Sequence, residues 1–331
     1  MKLEEVAKRA KVSTATVSRV LNNVGPVKSS TRARVMKAIT ELKYHPNLHA
    51  RSLAGGRSQT LGMIVSNLEN PFFLDICRVA EGEAHAAGFE MVVANTNYQA
   101  DQLVKSIRLM IGRRVAGLAV IVSETDPRLT EELSQNKVPV VFYDVGTPAQ
   151  NISNIRVDYG RGIQKAVEYL HDLGHRRMAF VSHHATLGPL SVREKAFRQT
   201  VEKYEPEVQW MSAASADGLE GGRLATREIL ASGFDPTAIV CVNDFMAIGV
   251  LRELREQGLR VPQDVSVTGF DNIKLSEYCY PALTTMHIPR DTIGHLVFQL
   301  LVPDAKQRPP GREITIDPEF VLRSSTGLAR K

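Results

Sequence analysis

Cysteine is scarce in this 331-residue chain: the three residues present, Cys77, Cys241 and Cys279, are an odd number without metal-ligand spacing. That argues against a disulfide scaffold and a cysteine-based metal site, and buried free thiols in a reducing compartment are the expectation. Long apolar runs are lacking as well, since no stretch approaches the ~18 apolar residues of a membrane span. The chain opens MKLEEVAKRA, without the apolar core of a secretory signal, so it is expected to be neither exported nor inserted and to work in the cytoplasm. There is no nucleophile elbow and no P-loop, and "GRG" at Gly160 to Gly162 lacks the third glycine of a dinucleotide fingerprint. Neither an enzymatic activity nor a cofactor is expected. Acidic residues are nearly missing from the first sixty positions, where Glu4, Glu5 and Glu41 face 12 Lys and Arg, a net +9. The whole chain is +5, so residues 61–331 hold 29 basic against 33 acidic residues, a net −4. The positive charge is local, as a phosphate-binding surface requires, although a basic patch without a partner would read the same way.

With 43% hydrophobic and 23% charged residues, the rest is the composition of a globular protein of two or three domains. The basic segment contains "VSTATVSRVLNN", Val12 to Asn23, whose β-branched Val12, Thr14, Thr16, Val17 and Val20 are weak helix formers. At helical spacing Val17, Val20 and Leu21 form an apolar seam, while Thr14, Ala15, Ser18, Arg19 and Asn22 share a small polar face with one long cation. Upstream, Leu3, Val6, Ala7 and Ala10 mark a helix with Glu4 and Glu5 in its first turn, and Ser13 can cap the helix that follows. A third helix is expected at about Ser30 to Leu42, with Val35, Ala38, Ile39 and Leu42 on one stripe. This is the layout of a helix-turn-helix, whose second helix lies in a DNA major groove. An ordinary solvated face is the alternative.

After residue 60, short Val- and Ile-rich runs recur: "LGMIVS", "EMVVAN", "GLAVIV", "VPVVFYD", "RMAFVS", "AIVCVN" and "VSVTGFD". Most are continuous rather than alternating, as strands buried on both faces read. Amphipathic segments lie between them, among them Phe72 to Ala87, Gln102 to Arg113, Gly162 to Leu173 and Phe245 to Gln257. Alternation of strand and helix predicts an α/β fold of doubly wound parallel sheets, and its length predicts two lobes with polar strand ends facing a crevice.

"VSTATVSRVLN", "YHPNLHARSLAGGRS", "TLGMIV", "NPFF", "VNDFMAIG", "GLRVPQDVSVTGFDN" and "PALTTMHIP" follow one another along essentially the whole chain. In that order they resemble the lactose/galactose repressor (LacI/GalR) family of bacterial transcription regulators. The resemblance implies a helix-turn-helix DNA-binding head at residues 1–46 and a hinge helix or linker at 47–59. It further implies an effector-binding and dimerisation core at 60–331, like periplasmic sugar-binding proteins. Lobe 1 would take about 60–159 and 289–318, and lobe 2 about 160–288 and 319–331. Carried over residue by residue, the DNA-binding surface is Thr14, Ala15, Thr16, Ser18 and Arg19, with Asn22 on the same helix. Arg19 suits guanine, and the alanine and threonine side chains suit a thymine methyl or a phosphate. In the hinge, Leu53 matches the family's minor-groove wedge and Ala50 lies beside it; Leu53 packing under the core is the alternative. Ala50 and Ala54 are shorter than usual and imply fewer groove contacts.

For the effector, the family pattern points to Phe72, Phe73, Asp144, Arg193, Asn243 and Asp271. Aromatics pack on a sugar or a base, and carboxylate, amide and guanidinium groups read hydroxyls. On periodicity alone one of the two phenylalanines reads as core. Asp271 can also cap the loop after it, and Asp244 reads better as a helix cap than as a ligand. Departures from the family pattern are Asp217 or Gly218, where an aromatic is common, and Ile288, where glutamine is. His183 and His184 stand side by side without further ligands, so they are read as solvated or ligand-proximal rather than metal-binding. After Phe320 no apolar heptads remain, so no tetramer-forming helix is expected. The implied protein is a dimeric regulator, usually a repressor, on a pseudo-palindromic operator kinked at its centre. A small molecule between the lobes would control it, a sugar or sugar derivative first, a nucleoside or purine or a protein partner as the alternative. No membrane is involved.

Overall fold

The structure is a computed structural model that describes residues 3–22, 25–44, 58–123, 129, 133, 135–136, 138–184, 189–302 and 310–331. The chain forms two compact units, residues 1–58 and 59–331.

The first unit contains α1 (Leu3–Ala10), α2 (Thr14–Asn22) and α3 (Ser29–Glu41). α1 ends where Lys11 takes φ 53° and the Val12 amide donates back to Ala7 O at 3.0 Å, a left-handed C-terminal stop. Ser13 then caps α2 as expected, its Oγ accepting from the Thr16 amide at 3.2 Å. Val6, Ala7, Ala10, Val17, Val20, Val35 and Ala38 are buried together, with Leu3, Leu21, Ile39 and Leu42 around them. The poor helix formers Val17 and Val20 are therefore the residues the mini-core needs, and packing overrides propensity. The Arg9–Glu41 ion pair at 2.6 Å ties α1 to α3 but is solvent-exposed, so it adds little. Ala50 and Leu53, with the expected hinge helix, lie outside the described residues.

The second unit runs β1 (Thr60–Val65), α4 (Pro71–Ala86), β2 (Glu90–Asn95), α5 (Ala100–Gly112), β3 (Gly117–Ile121), β4 (Val140–Tyr143), β5 (Ile152–Val157), α6 (Tyr159–Asp172), β6 (Arg177–His183) and α7 (Pro189–Val201). It continues with β7 (Gln209–Ser215), α8 (Leu219–Ala231), β8 (Ala238–Cys241), α9 (Asp244–Glu256), β9 (Ser266–Thr268), α10 (Leu275–Tyr278), β10 (Thr285–His287), α11 (Arg290–Leu301), β11 (Glu313–Ile316) and β12 (Glu319–Val321). One sheet has the order β11-β5-β4-β3-β1-β2 and a second the order β7-β6-β8-β9, both parallel throughout. A short antiparallel ribbon, β10-β12, lies where the chain passes between them. The passages are at 157–159, 287–290 and 316–319; the first and last leave β5 and β11 at one side of the first sheet.

Buried strands such as β3, β4 and β8 are covered on both faces, which is why their apolar runs are continuous. β5 and β7 were not evident as apolar runs. "ISNIRV" carries Asn154 and Arg156, and β7 is an edge strand with only Ala213 buried. α8 and α9 approach until backbone meets backbone. A Cβ on Gly222 would collide with the Met246 carbonyl and one on Gly249 with the Leu219 carbonyl, so glycine is required at both. Cys77 and Cys241 are buried as expected, whereas Cys279 is only half-buried.

Candidate functional site

Two surfaces carry the chemistry. On α2, Thr14, Ala15 and Arg19 are exposed, while Thr16 and Ser18 are half-buried. Asn22 ends the helix, and its side chain is outside the described residues. The Thr16 hydroxyl is 2.9 Å from Ser13 Oγ, so it is engaged in the cap. A short helix with its valines inward and small side chains plus one arginine outward is shaped to lie against base edges.

The second surface is a cleft at the carboxyl ends of the strands of both sheets, where parallel α/β folds bind ligands. Its lining includes Asn70, Phe72, Phe73, Tyr98, Tyr143 and Tyr159 from one side and His183, Arg193, Asn243 and Asp271 from the other. Five of the six expected effector residues thus converge. Asp144, the sixth, stands behind the lining: its Oδ1 accepts from the Val157 amide at 2.7 Å, and its Oδ2 lies 2.5 Å from the Tyr159 hydroxyl. The Tyr159 and Tyr143 hydroxyls are 2.9 Å apart. A relay in which Tyr143 donates to Tyr159 and Tyr159 to Asp144 satisfies all three groups.

Phe72 and Phe73 are both buried at the start of α4, edge to face with centroids 5.4 Å apart, so neither is core to the exclusion of the other. Asn70 positions them by capping α4, accepting from the Phe72 amide at 3.1 Å. Asn243 likewise caps α9, accepting from the Met246 amide at 2.8 Å, which leaves its amide nitrogen to face the cleft. Asp244 is no cap, contrary to expectation. Its carboxylate accepts from the Ile273 amide at 2.8 Å and the Thr285 hydroxyl at 2.5 Å, clamping the turn that carries Asp271. Gly269 is needed there because a Cβ would strike that carboxylate. From the other direction Arg290 donates to the carbonyls of Asp271 and Asn272 and, at 3.0 Å, to Asp75 of α4. Nothing in the sequence pattern pointed to Arg290 or to Tyr98.

Asp271 at φ 107°, Asn272 at 52°, Asp144 at 63°, Asn97 at 51° and Tyr98 at 59° all adopt the left-handed region. Non-glycine residues do so where the surroundings enforce it, and here they gather at strand ends around one cleft. The Arg193 guanidinium lies over the Tyr159 ring, 3.9 Å from its centroid, and donates to Val242 O at 3.0 Å. Among the described residues, Arg193 Nε and Asp271 Oδ1 are buried polar atoms without partners. Such orphans are costly unless something binds them.

Burial pushes the Asp271 carboxyl up to about 7 against the pull of Arg193 and Arg290, with Asp217 and Asp144 repelling it further. Burial also raises Asp144 to about 7, although the Tyr159 hydroxyl and the Val157 amide favour its charge. Burial opposes the Arg193 charge too, but Tyr159, Asp271, Tyr143 and Asp144 more than restore it. His183 is pressed down to about 4, chiefly by burial, and is neutral near pH 7. It is a cleft residue, not a solvated one, whereas His184 is exposed. Among the described residues no group of three or more His, Cys, Asp or Glu could hold a metal ion, and no helix is long and apolar enough to cross a membrane.

A basic helix-turn-helix unit and a separate two-sheet unit with a polar recess at its strand ends define the class, a DNA-binding regulator with a sensor core. Residues 2–47 match the family model for bacterial regulatory proteins of the lacI family, and residues 167–326 match a periplasmic binding protein-like domain. The HTH-type transcriptional repressor PurR of Vibrio cholerae is 33% identical over 327 residues, 98% of this chain and 97% of the relative. The Lac repressor dimer bound to operator superposes with a TM-score of 0.83 at 29% identity, over 99% of both chains. A LacI-family regulator from Enterococcus faecium with bound ribose gives 0.71 at 26% identity, over 82% of this chain and all of that one. The chain belongs to the lacI family of bacterial regulatory proteins.

Proposed function

We propose that this protein is a cytoplasmic homodimeric transcription repressor whose affinity for a pseudo-palindromic operator is set by a small molecule bound in the cleft. The observation that carries the effector half is the pair of buried orphans, Arg193 Nε and Asp271 Oδ1, one a donor and one an acceptor. A ligand with both hydroxyl donors and acceptors completes them, and Asn243 adds an amide. Burial already opposes charge on the Asp144 and Asp271 carboxyls, and it opposes a charged ligand in the same recess. An uncharged sugar or sugar derivative therefore fits best, in keeping with the ribose-bound relative. A purine or nucleoside is the second reading, favoured by the aromatic rings of Phe72, Phe73, Tyr98, Tyr143 and Tyr159 at the same recess. Asp144 acts through Tyr159 rather than on the ligand.

On the DNA side, Thr14, Ala15, Thr16, Ser18, Arg19 and Asn22 read the major groove of each half-site. Ala50 and Leu53 of the 47–59 hinge enter the minor groove at the centre. The head is 1–46 and the core 60–331, with lobe 1 at about 60–159 and 289–318 and lobe 2 at about 160–288 and 319–331. Self-association is supported by a cluster of exposed large side chains at Leu275, Tyr278 and Tyr280.

Selection from random duplexes at near-physiological salt, with and without a sugar and nucleoside library, tests the whole reading. A palindrome with a flexible central step, enriched and then shifted by one compound, is the expected result. No enriched sequence under any condition would remove the operator reading.

A further inference from the structure

The cleft is closed by Asp217, a residue outside the expected effector set. Asp217 follows β7 in the second sheet, yet its partners come from both sides. Its Oδ2 accepts from the Tyr98 hydroxyl at 2.7 Å and from Asn67 Nδ2 at 3.1 Å, and its Oδ1 accepts from Asn243 Nδ2 at 3.0 Å. Asn67 follows β1 and Tyr98 follows β2, both strands of the first sheet. Asn243 follows β8 of the second and is one of the residues assigned to the effector. The Tyr98 ring packs over His183 with centroids 4.8 Å apart, sealing the same corner. The cavity left within the lining is about 20 Å³, space for a single water molecule.

Leverage makes this corner decisive. Two of the three crossings leave β5 and β11, whereas β2 is the opposite edge of the first sheet and β7 an edge of the second. With strands about 4.8 Å apart, β2 is four strand steps, roughly 19 Å, from β5. A bond made there opposes hinge opening far better than one made beside the crossings. Two donors of the first sheet, Asn67 and Tyr98, share the Asp217 carboxylate and hold the far edge shut, while Asn243 fixes it from its own side.

We propose that Asp217 is a latch and a stand-in for ligand: a carboxylate of the second lobe, gripped by donors of the first, that closes the cleft on the chain's own side chain and engages the Asn243 amide. An effector competes with Asp217 for Asn243, so the latch sets how tightly a ligand must bind before the cleft reopens around it. That consequence rests on the effector reading of the cleft; the latch itself does not.

The test uses the full-length protein without DNA or any small molecule, so its failure is separable from failure of operator selection. Solvent access to the closed cleft is read by diethyl pyrocarbonate at His183 and phenylglyoxal at Arg193, both buried, with buried His175 as the control for unfolding. Asp217→Ala and Tyr98→Phe, which break the contact from opposite sides, are each compared with the wild type by peptide mass spectrometry. Labelling of both His183 and Arg193 is expected to rise about tenfold in Asp217→Ala and several-fold in Tyr98→Phe, with His175 unchanged and the double variant no faster than Asp217→Ala. Unchanged Arg193 labelling in both variants overturns the latch, even where His183 alone becomes more reactive, because that is local uncovering. A parallel rise at His175 overturns it as well, since Asp217 is then a folding residue.

Discussion

The α2 face and the cleft solve opposite recognition problems. On α2 the reading groups point outward from a bundle whose core is a handful of valines and alanines, and the groups themselves are small. In the cleft the polar groups are turned inward, desolvated, and held by capping amides, edge-packed rings and a backbone forced into left-handed geometry. A rigid external partner such as a DNA groove supplies its own shape, so the protein needs only a small protruding surface on a marginal scaffold. A small ligand supplies little shape, so the protein must build the whole enclosure and tolerate buried polar groups that water cannot reach.

The comparison can be broken most forcefully at the head core. Val35→Asp places a carboxylate among Val6, Val17 and Ala38, and a loss of about 4 kcal/mol or more is expected, enough to unfold the bundle. Calorimetry should show the head transition vanish while that of residues 59–331 stays, and gel shifts should show DNA binding abolished. If the core transition fell too, the two units would not be independent.

Arg19→Ala leaves that bundle intact and removes the long donor, so specific operator affinity should fall by about 2–3 kcal/mol with the melting profile unchanged. Fluorescence anisotropy on operator and random duplexes separates this from a loss of phosphate contact, which would weaken both alike.

In the cleft, Asp271→Asn should act in the other direction. The folded carboxyl, raised to about 7, sits above its unfolded value. The wild type therefore loses stability as pH rises from about 4 to about 7, is flat above, and carries no penalty below. The variant is expected to be more stable by about 2 kcal/mol at pH 8 and equal at pH 4, measured by urea unfolding. An equal gain at both values would show that Asp271 is not an uncomfortable charge.

Ser13→Ala is the smallest change, a lost cap on α2 costing about 1 kcal/mol of head stability by thermal melts, with cleft and core unaffected.

The head was legible almost completely, because helical spacing, a cap and charge are local signals. Val17 and Val20 face inward and Thr14, Ala15 and Arg19 outward, as the spacing of their side chains requires. The core strands were legible where they are buried on both faces, as in β3 and β8, and missed where an edge position removes the apolar demand, as in β7. At the cleft the expected residues arrive from widely separated segments, but their roles shift. Asp144 retreats behind Tyr159, Asp244 exchanges capping for a clamp on the Asp271 turn, and His183 is buried in the cleft lining while His184 is exposed.

The chain's pattern alone determined what periodicity, charge and turn chemistry can carry: a basic three-helix head, alternating strands and helices, and polar residues at strand ends. Only the tertiary structure decided that Asp217 meets Tyr98 and Asn67, that Arg290 reaches the Asp271 turn, and that Arg193 lies on Tyr159. These partners are separated by 18 to 150 positions in the chain. No local preference encodes such meetings. They follow from packing two sheets across three chain crossings, which also fixes which buried charge has a neighbour and which is left wanting one.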